Sequence, residues 1–188
     1  MGSENVAEVY VVAGLSGVGK SSVVEYALKK SPGVKRVNFG DAILREATER
    51  NLVEDRDQLR FLDLETQRAL QARAARRICR MHGKVVVDTH LTIPTPDGYV
   101  PGLPLDILIQ LKPKRIIILE ADPGDILKRR MLDKGRARVD ENLEEIQQHF
   151  DFDRAAAIAM AIQVGAPVKI IKNDVLEKAG EELARLLA

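Results

Sequence analysis

The chain has 188 residues, of which 29 are basic and 28 acidic, and its formal net charge is +1. This balance argues against a strongly cationic protein that binds nucleic acids or membranes. The only cysteine, Cys79, excludes a disulfide framework and a paired-cysteine zinc site. No run approaches the roughly 18 apolar residues of a membrane helix. We therefore expect one cytoplasmic domain, residues 1–188, with a core large enough to fold without a disulfide or a structural metal ion.

Apolar runs and the segments between them predict an α/β fold. Five short runs are typical of strands that a sheet buries on both faces: residues 9–13, 34–39, 84–88, 115–120 and 168–172. Helical segments separate them, which is typical of a parallel sheet. Asp41 and Asp63 are predicted to cap the second and third helices. The other predicted boundaries are helix ends at 31–33, near Asn51 and at Gly83, and helix starts at Pro123, Asn142 and Asp174.

The most specific motif lies between the first predicted strand and the helix after it. Residues 14–21, GLSGVGKS, match G-x-x-x-x-G-K-S/T at every defined position. Such a loop directs backbone N–H groups at a phosphate, and the helix dipole adds to the attraction. The motif places Lys20 on the β- and γ-phosphates and the Ser21 hydroxyl on Mg²⁺. The predicted ATP-binding residues are Gly14, Leu15, Ser16, Gly17, Val18, Gly19, Lys20, Ser21 and Ser22.

Asp88 ends the third predicted strand. A carboxylate at this position resembles a Walker B acid, which holds Mg²⁺ through water beside the phosphate loop. The predicted metal residues are therefore Ser21 and Asp88, and a simple turn cap is the alternative for Asp88. The loop that follows, residues 89–104, contains four prolines. It leaves the carboxyl end of a strand, where α/β sheets bind ligands, so His90 is a candidate for phosphate contact but has no partner at metal-ligand spacing.

Arginines are concentrated after the fourth predicted strand: Arg129, Arg130, Arg136 and Arg138, with Arg154 later. Phosphoryl transfer spreads negative charge over the transferred group, and guanidinium groups neutralise such charge well. The predicted catalytic residues are Lys20, Arg130, Arg138 and Arg154. A solvated basic face is the alternative for one or two of the arginines. The polar stretch around Gly135 predicts a short lid, residues 133–142.

Two further groups of arginines lie in the first half of the chain. Arg45, Arg56 and Arg60 belong to the region 38–82, which we expect to form a flap over an acceptor. The second group lies on the third predicted helix. We expect it to belong to the exposed face of that helix rather than to an RNA-binding surface. Its members are Arg73, Arg76, Arg77 and Arg80.

The motifs favour a small kinase over other phosphate-loop proteins. The chain lacks the N-K-x-D and D-x-x-G motifs of a GTPase and is small for a motor or a helicase. From about Val9 to Asn173 it resembles the archaeal-type adenylate kinases. The segments that carry the resemblance are NFGD at 38–41, RDQLR at 56–60, VDTH at 87–90, GYVPGLP at 98–104, LEAD at 119–122 and KIIKN at 169–173. RVDEN at 138–142 also resembles the lid-to-helix signature of nucleoside monophosphate kinases.

The resemblance implies a three-layer P-loop fold. Its five-stranded parallel sheet would have the order 2-3-1-4-5, with flanking helices, a short lid and an AMP-binding helical flap. The implied reaction is reversible Mg²⁺-dependent phosphoryl transfer, ATP + AMP to 2 ADP, for adenine nucleotide homeostasis. The residues that it suggests for AMP are Gly40, Asp41, Arg56, Arg60 and His90. It also implies nucleotide substrates and a homotrimer, with neither a membrane nor a nucleic acid as partner.

The chain departs from the common adenylate kinases on the acceptor side. They have an arginine soon after the aspartate of the third strand, whereas residues 88–92 here are DTHLT. They also have an arginine three residues after the Gly-Asp pair, but Arg45 follows Asp41 by four. One helical residue rotates a side chain by about 100°. Arg56 and Arg60 are therefore the better candidates for the AMP phosphate.

Two alternatives remain open from the sequence. A kinase for another small acceptor with a hydroxyl group would need a base, for which Asp41 is a candidate. A slow ATPase that acts as a nucleotide-gated assembly factor would bind RNA or protein through the arginines of the third helix. The balanced net charge speaks against an RNA partner.

Overall fold

A parallel sheet of five strands lies at the centre of the structure, a computed structural model that describes residues 7–132 and 142–188. The strands are β1 (Glu8–Ala13), β2 (Lys35–Asn38), β3 (Lys84–Thr89), β4 (Thr92–Thr95), β5 (Gly98–Pro101), β6 (Arg115–Glu120) and β7 (Val168–Lys172). The helices are α1 (Lys20–Lys30), α2 (Phe39–Thr48), α3 (Leu64–Cys79), α4 (Leu105–Leu111), α5 (Pro123–Leu132), α6 (Leu143–Val164) and α7 (Leu176–Leu187), with a 3-10 helix at Asp57–Phe61. Within the described residues, none of the helices is both long and apolar enough to span a membrane.

The main sheet has the order β2-β3-β1-β6-β7, and all its neighbouring strands are parallel. Numbered along the chain by themselves, these five strands have the order 2-3-1-4-5 that the resemblance implied. The full numbering differs because β4 and β5 form a separate antiparallel hairpin, which the sequence analysis did not predict. Since β1 and β3 are neighbours, the loop after β1 lies beside the end of β3.

Helices cover both faces of the sheet and make three layers. Alternate residues of β1 point to opposite faces, as the period of a strand requires. Val9 and Val11 pack in one buried cluster with side chains of α3, α4 and the second half of α6. Tyr10 and Val12 pack in another with side chains of α1, α5 and α7. The α/β layered fold is therefore confirmed.

Two predicted helix N-termini need correction. Asn38, not Asp41, caps α2, because its side chain accepts a hydrogen bond from the Asp41 N–H at 3.1 Å. The last helix begins at Leu176 with Val175 at its N-cap position, so Asp174 does not cap it. Asp63 does cap α3, and it accepts from the Thr66 N–H at 2.8 Å. A side chain can cap a helix only where the chain enters with the right backbone angles, which composition does not reveal.

The β4–β5 hairpin is fastened to α6. The buried carboxylate of Asp153 accepts hydrogen bonds from the Thr92 N–H at 3.1 Å and from the Thr92 hydroxyl at 2.6 Å. The ring of Tyr99 stacks on Phe152 with 4.3 Å between the centroids. Burial raises the pKa of Asp153. The proline-containing loop between β3 and α4 is therefore held against α6.

Close packing of α7 against α1 supports the helix that follows the phosphate loop. The closest approach is at Gly180, where a Cβ would lie only 2.7 Å from Cγ and 2.9 Å from Cβ of Tyr26. Contacts this short require one helix to move, because the Tyr26 Cβ is fixed to its backbone.

We expect Gly180→Ala to lower the free energy of unfolding by about 1–3 kcal/mol, since overpacking outweighs the better helix propensity of alanine. Urea denaturation measures the change. Glu177→Ala, on the exposed side of α7, is the matched control and should leave stability within about 0.5 kcal/mol of the original. An unchanged or higher stability of Gly180→Ala would contradict the packing argument.

Candidate active site

The phosphate loop connects β1 to α1, and buried apolar side chains of the core anchor it. Leu15 and Val18 are buried in the same cluster as the inner face of α1. Gly17 and Gly19 have φ angles of 92° and 82°, a left-handed conformation that glycine adopts at little cost. Gly19 is also the N-cap residue of α1 and makes no side-chain cap hydrogen bond. The first-turn N–H groups of α1 therefore have no capping side chain at Gly19 and can donate to an anion.

Asn173 fixes the far side of this loop. Its side-chain amide donates to the Val18 carbonyl at 2.7 Å, and its backbone N–H donates to the Glu120 carbonyl at 2.7 Å. A Cβ on Gly19 would lie 2.5 Å from the Asn173 Nδ2 atom. The loop and the end of β7 thus meet closely, and a side chain at position 19 would separate them.

One buried carboxylate links the loop to the two neighbouring strands. Asp88 is 2% exposed at the end of β3. Its Oδ1 atom lies 2.5 Å from the Lys20 ammonium, which also donates to the Thr89 carbonyl at 2.6 Å. Its Oδ2 atom accepts from the Arg36 Nη2 at 2.5 Å, and the same Nη2 lies 3.1 Å from the Ser21 hydroxyl. Burial lowers the pKa of Lys20, and the charge of Asp88 opposes that shift.

His90 lies above the loop as a neutral ring. Its Nδ1 atom is 2.9 Å from the Gly14 carbonyl. Burial, together with the positive charge of Lys20, lowers the pKa of His90 to about 4. At neutral pH, Nδ1–H therefore donates to Gly14, which leaves Nε2 as a hydrogen-bond acceptor.

Arg56 lies on the opposite side, over the start of α2. Its Nη1 donates to the Asp41 carboxylate at 3.0 Å. Its guanidinium occupies the space that a Cβ on Gly40 would take, so the absence of a side chain at Gly40 lets Arg56 lie against the helix. Both side chains of this ion pair are largely exposed, so Arg56 can leave Asp41 and bind a ligand instead.

A cleft of about 670 Å³ separates these two sides. It is lined by residues of the phosphate loop and α1 and by polar residues from four other segments. They are Leu15, Ser16, Gly17, Gly19, Lys20, Ser21, Ser22, Asn38, Arg56, Asp57, Asp88, His90 and Arg129. The structure therefore brings most of the predicted donor residues together with Arg56 and His90.

The remaining predicted arginines have other surroundings. Arg130 donates from Nε to the Ser16 carbonyl at 2.8 Å, beside the loop. Arg154 forms two hydrogen bonds of 2.7 Å with the Glu120 carboxylate and lines a separate cavity of about 270 Å³. Arg60 lies over the ring of Phe61, 4.9 Å from its centroid, and does not line the cleft. Arg138 and all of the predicted lid except Asn142 lie outside the described residues.

The arginines of α3 are exposed, as expected. Arg77 forms hydrogen bonds of 3.1 and 2.9 Å with the two carboxylate oxygens of Glu49. It also lies 3.2 Å from the carboxylate of Glu46. Its contacts tie α3 to α2 within the chain.

Comparison with known proteins decides which phosphate-loop family this site represents. A family model described as "AAA domain" matches residues 13–147. The adenylate kinase of Pyrococcus furiosus is 44% identical over 95% of this chain and 94% of its own length. That of Methanopyrus kandleri is 46% identical over 93% and 94%, and that of Methanothermobacter thermautotrophicus is 44% identical over 96% and 99%. The chain belongs to the adenylate kinase family.

The fold of this family member is shared more widely than its sequence. A shikimate kinase from Bacteroides thetaiotaomicron superposes with a TM-score of 0.59, at 15% identity over 95% of this chain and 97% of that one. Identity this low reports on the fold alone. It supports the phosphate-loop kinase architecture and leaves the acceptor to other evidence.

The residues present fit a Mg²⁺ ion at Ser21 and Asp88. Hydroxyl and carboxylate oxygens are the ligands that Mg²⁺ prefers. In the structure both groups already share a cation, the Arg36 guanidinium, so the position suits positive charge. Among residues 7–132 and 142–188, no three His, Cys, Asp or Glu side chains could together hold a metal. Mg²⁺ would therefore take its other ligands from phosphate groups and water.

Sequence reasoning missed Arg36 and gave Asn173 no site role. Arg36 belongs to a predicted strand and to none of the recognised motifs, although a basic residue in a strand otherwise expected to be buried was a usable signal. Asn173 was noted only as part of the KIIKN segment. Its contact with Val18 joins positions 155 residues apart, which no local pattern reveals.

We expect His90 to make the protein less stable in acid. The pKa of His90 is about 4 when folded and roughly 6.5 when unfolded, so the unfolded state binds the proton first as pH falls. The stability from this group is complete above pH ~6.5 and is lost as pH falls through ~4. Relative to His90→Gln, the unaltered protein should lose about 2–3 kcal/mol between pH 7 and 4.

Urea unfolding at several pH values measures this difference. His82→Gln, at an exposed histidine, is the matched control and should keep the original pH dependence. Parallel pH profiles for His90→Gln and the unaltered protein would show that His90 is not held neutral by the fold.

Proposed function

We propose that the protein is an adenylate kinase that transfers a phosphoryl group reversibly from ATP to AMP, giving two ADP, and so balances adenine nucleotides. The observation that carries the proposal is the cleft, in which Lys20 and the phosphate loop face the guanidinium of Arg56. A two-substrate phosphate kinase needs cationic groups on both sides of the transferred group. Membership of the adenylate kinase family supports ATP and AMP as the two substrates.

On the donor side, the residues bind and orient the triphosphate. The first-turn N–H groups of α1 and the Lys20 ammonium would contact the phosphates. Ser21 and Asp88 would hold Mg²⁺, which when bound neutralises phosphate charge and orients the γ-phosphate. The Asp88 carboxylate and the Thr89 carbonyl hold the Lys20 ammonium in the cleft that the phosphate loop lines.

On the acceptor side, the phosphate of AMP already has a negatively charged oxygen that can attack. No side chain needs to remove a proton, so catalysis rests on positioning and charge neutralisation. Arg56 would bind the acceptor phosphate, with Gly40, Asp41 and the Nε2 atom of His90 around it. The hydroxyl-acceptor alternative would use Asp41 as base, but the structure pairs Asp41 with Arg56.

The other catalytic arginines belong to the same proposal. Arg130 adds positive charge at the edge of the loop. Arg154 would have to exchange its two bonds to Glu120 for bonds to phosphate before it neutralises the transferred group. Arg138 is proposed on the family resemblance.

The proposal extends to a homotrimer in the cytoplasm, which the resemblance implies. Exposed apolar pairs on the neighbouring helices α4 and α6 support self-association, because large apolar patches mark interaction surfaces. They are Leu105 with Ile109 and Ile158 with Ile162. Sedimentation velocity measures the stoichiometry, and cell fractionation the compartment.

The decisive experiment offers Mg·ATP with AMP, CMP, UMP, GMP or a panel of small alcohols and follows ADP by chromatography. We expect AMP to be the preferred acceptor. Lys20→Ala should remain folded by circular dichroism and lose about 10³-fold or more in rate, because transition-state charge is no longer neutralised. Lys29→Ala, on the exposed side of α1, is the control.

Rapid turnover of an alcohol without ADP from AMP would overturn the proposed acceptor. Near-normal turnover by folded Lys20→Ala would instead overturn the donor site while leaving the acceptor open.

Two candidate arginines for the AMP phosphate can be separated by paired substitutions. Arg56→Ala should raise KM for AMP by about tenfold or more, since a hydrogen bond to a charged group contributes about 1.5–3 kcal/mol. Arg60→Ala should change it less than about twofold, because Arg60 lies on Phe61 outside the cleft. KM for ATP should stay the same in both variants. A larger effect from Arg60→Ala would reverse the assignment.

A further inference from the structure

The guanidinium of Arg36 occupies the position between the two groups assigned to the metal. Its Nη2 atom lies 2.5 Å from the Asp88 carboxylate and 3.1 Å from the Ser21 hydroxyl. Its Nε atom adds a third contact, 3.2 Å from the same carboxylate oxygen. One side chain thus makes the contacts that a cation shared by Ser21 and Asp88 would make.

Both carboxylate oxygens of Asp88 are engaged in this arrangement. Lys20 holds Oδ1 and Arg36 holds Oδ2. Two positive groups therefore surround one buried negative group, and a bare divalent cation that approaches meets net repulsion. A nucleotide changes the balance, because its phosphates attract Lys20 and add negative charge beside the site.

Arg36 has a second partner to which it can turn. Its Nη1 atom is 3.5 Å from the carboxylate of Glu25 on α1. The side chain of Glu25 is 64% exposed, so this partner lies on the solvent side of Arg36, away from the buried Asp88. A small rotation of the guanidinium would exchange the buried carboxylate for the exposed one.

We propose that Arg36 is an internal competitor for Mg²⁺, which neutralises Asp88 while nucleotide is absent and moves toward Glu25 when the metal arrives with nucleotide. The inference rests on the metal site of the proposed function. It makes Arg36 a positioning residue that weakens the binding of bare metal, so that the metal enters as its nucleotide complex. Arginine suits this role because its planar guanidinium can donate to two separate oxygen groups at once. Lysine has a single ammonium, which acts as a point charge.

The test measures metal binding without nucleotide, with Mn²⁺ as the probe and electron paramagnetic resonance of free Mn²⁺ as the readout. Arg36→Met should lower the dissociation constant for Mn²⁺ about tenfold or more, the range by which outer-sphere partners alter metal affinity. Lys35→Met is the matched control, because it removes one positive charge from the adjacent exposed position on β2. It should bind Mn²⁺ as the unaltered protein does. Arg36→Lys should give an intermediate gain.

A double variant locates the metal. Arg36→Met with Asp88→Asn should lose the added affinity. If Arg36→Met binds Mn²⁺ no more tightly than Lys35→Met, the competitor inference is overturned. If the double variant keeps the tight binding, the metal does not use Asp88 and the metal site of the proposed function fails as well. Neither result depends on phosphoryl transfer, so the ADP assay judges the proposed reaction separately.

Folding of each variant is checked by circular dichroism and thermal unfolding. Arg36→Gln, which keeps hydrogen-bonding capacity but no charge, replaces Arg36→Met if the latter does not fold. It should bind Mn²⁺ more tightly than Lys35→Met, and equal or weaker binding would count against the inference in the same way.

Discussion

The buried carboxylate of Asp88 is the interaction on which the donor side of the cleft depends. A charge that is 2% exposed is tolerated only where cations and hydrogen bonds replace its lost hydration. Lys20 comes from the helix after the phosphate loop, and Arg36 comes from the edge strand β2. One carboxylate therefore ties the loop, the inner strand β3 and the edge strand β2 together. The surplus positive charge that results is suited to phosphate.

The two sides of the cleft are held with different rigidity. The loop is fixed by buried apolar residues, by the Asn173 amide and by Arg129, which donates to the Gly17 carbonyl at 3.1 Å. The acceptor side rests on a small separate cluster and on the exposed Arg56–Asp41 pair. Exposed ion pairs contribute little stability, so this side can rearrange around a ligand at small energetic cost. A rigid phosphate-loop side and an adaptable Arg56 side would suit the proposed transfer between two anions.

Family membership and local geometry contribute different parts of the functional argument. Relatives at 42–46% identity over almost the whole chain establish the adenylate kinase family. They do not say which arginine meets the acceptor phosphate, because identity over a whole chain assigns no role to a single residue. Gly40 decides the geometry there, since its missing side chain lets Arg56 lie over the start of α2. The Arg36 contacts likewise belong to this structure and to no recognised motif.

Local sequence patterns predicted the strands of the main sheet, the phosphate loop and an acid at the end of β3. Each of these depends on a local pattern: an apolar run, glycines that allow a tight turn, or an acid at a strand end. Three features became visible only in the folded chain: the hairpin between β3 and α4, the pairing of Arg36 with Asp88, and the separation of Arg56 from Arg60. Those features depend on which strands become neighbours and on where long side chains find partners. Arg36 and Asp88 are 52 residues apart, and only the parallel pairing of β2 with β3 places them together.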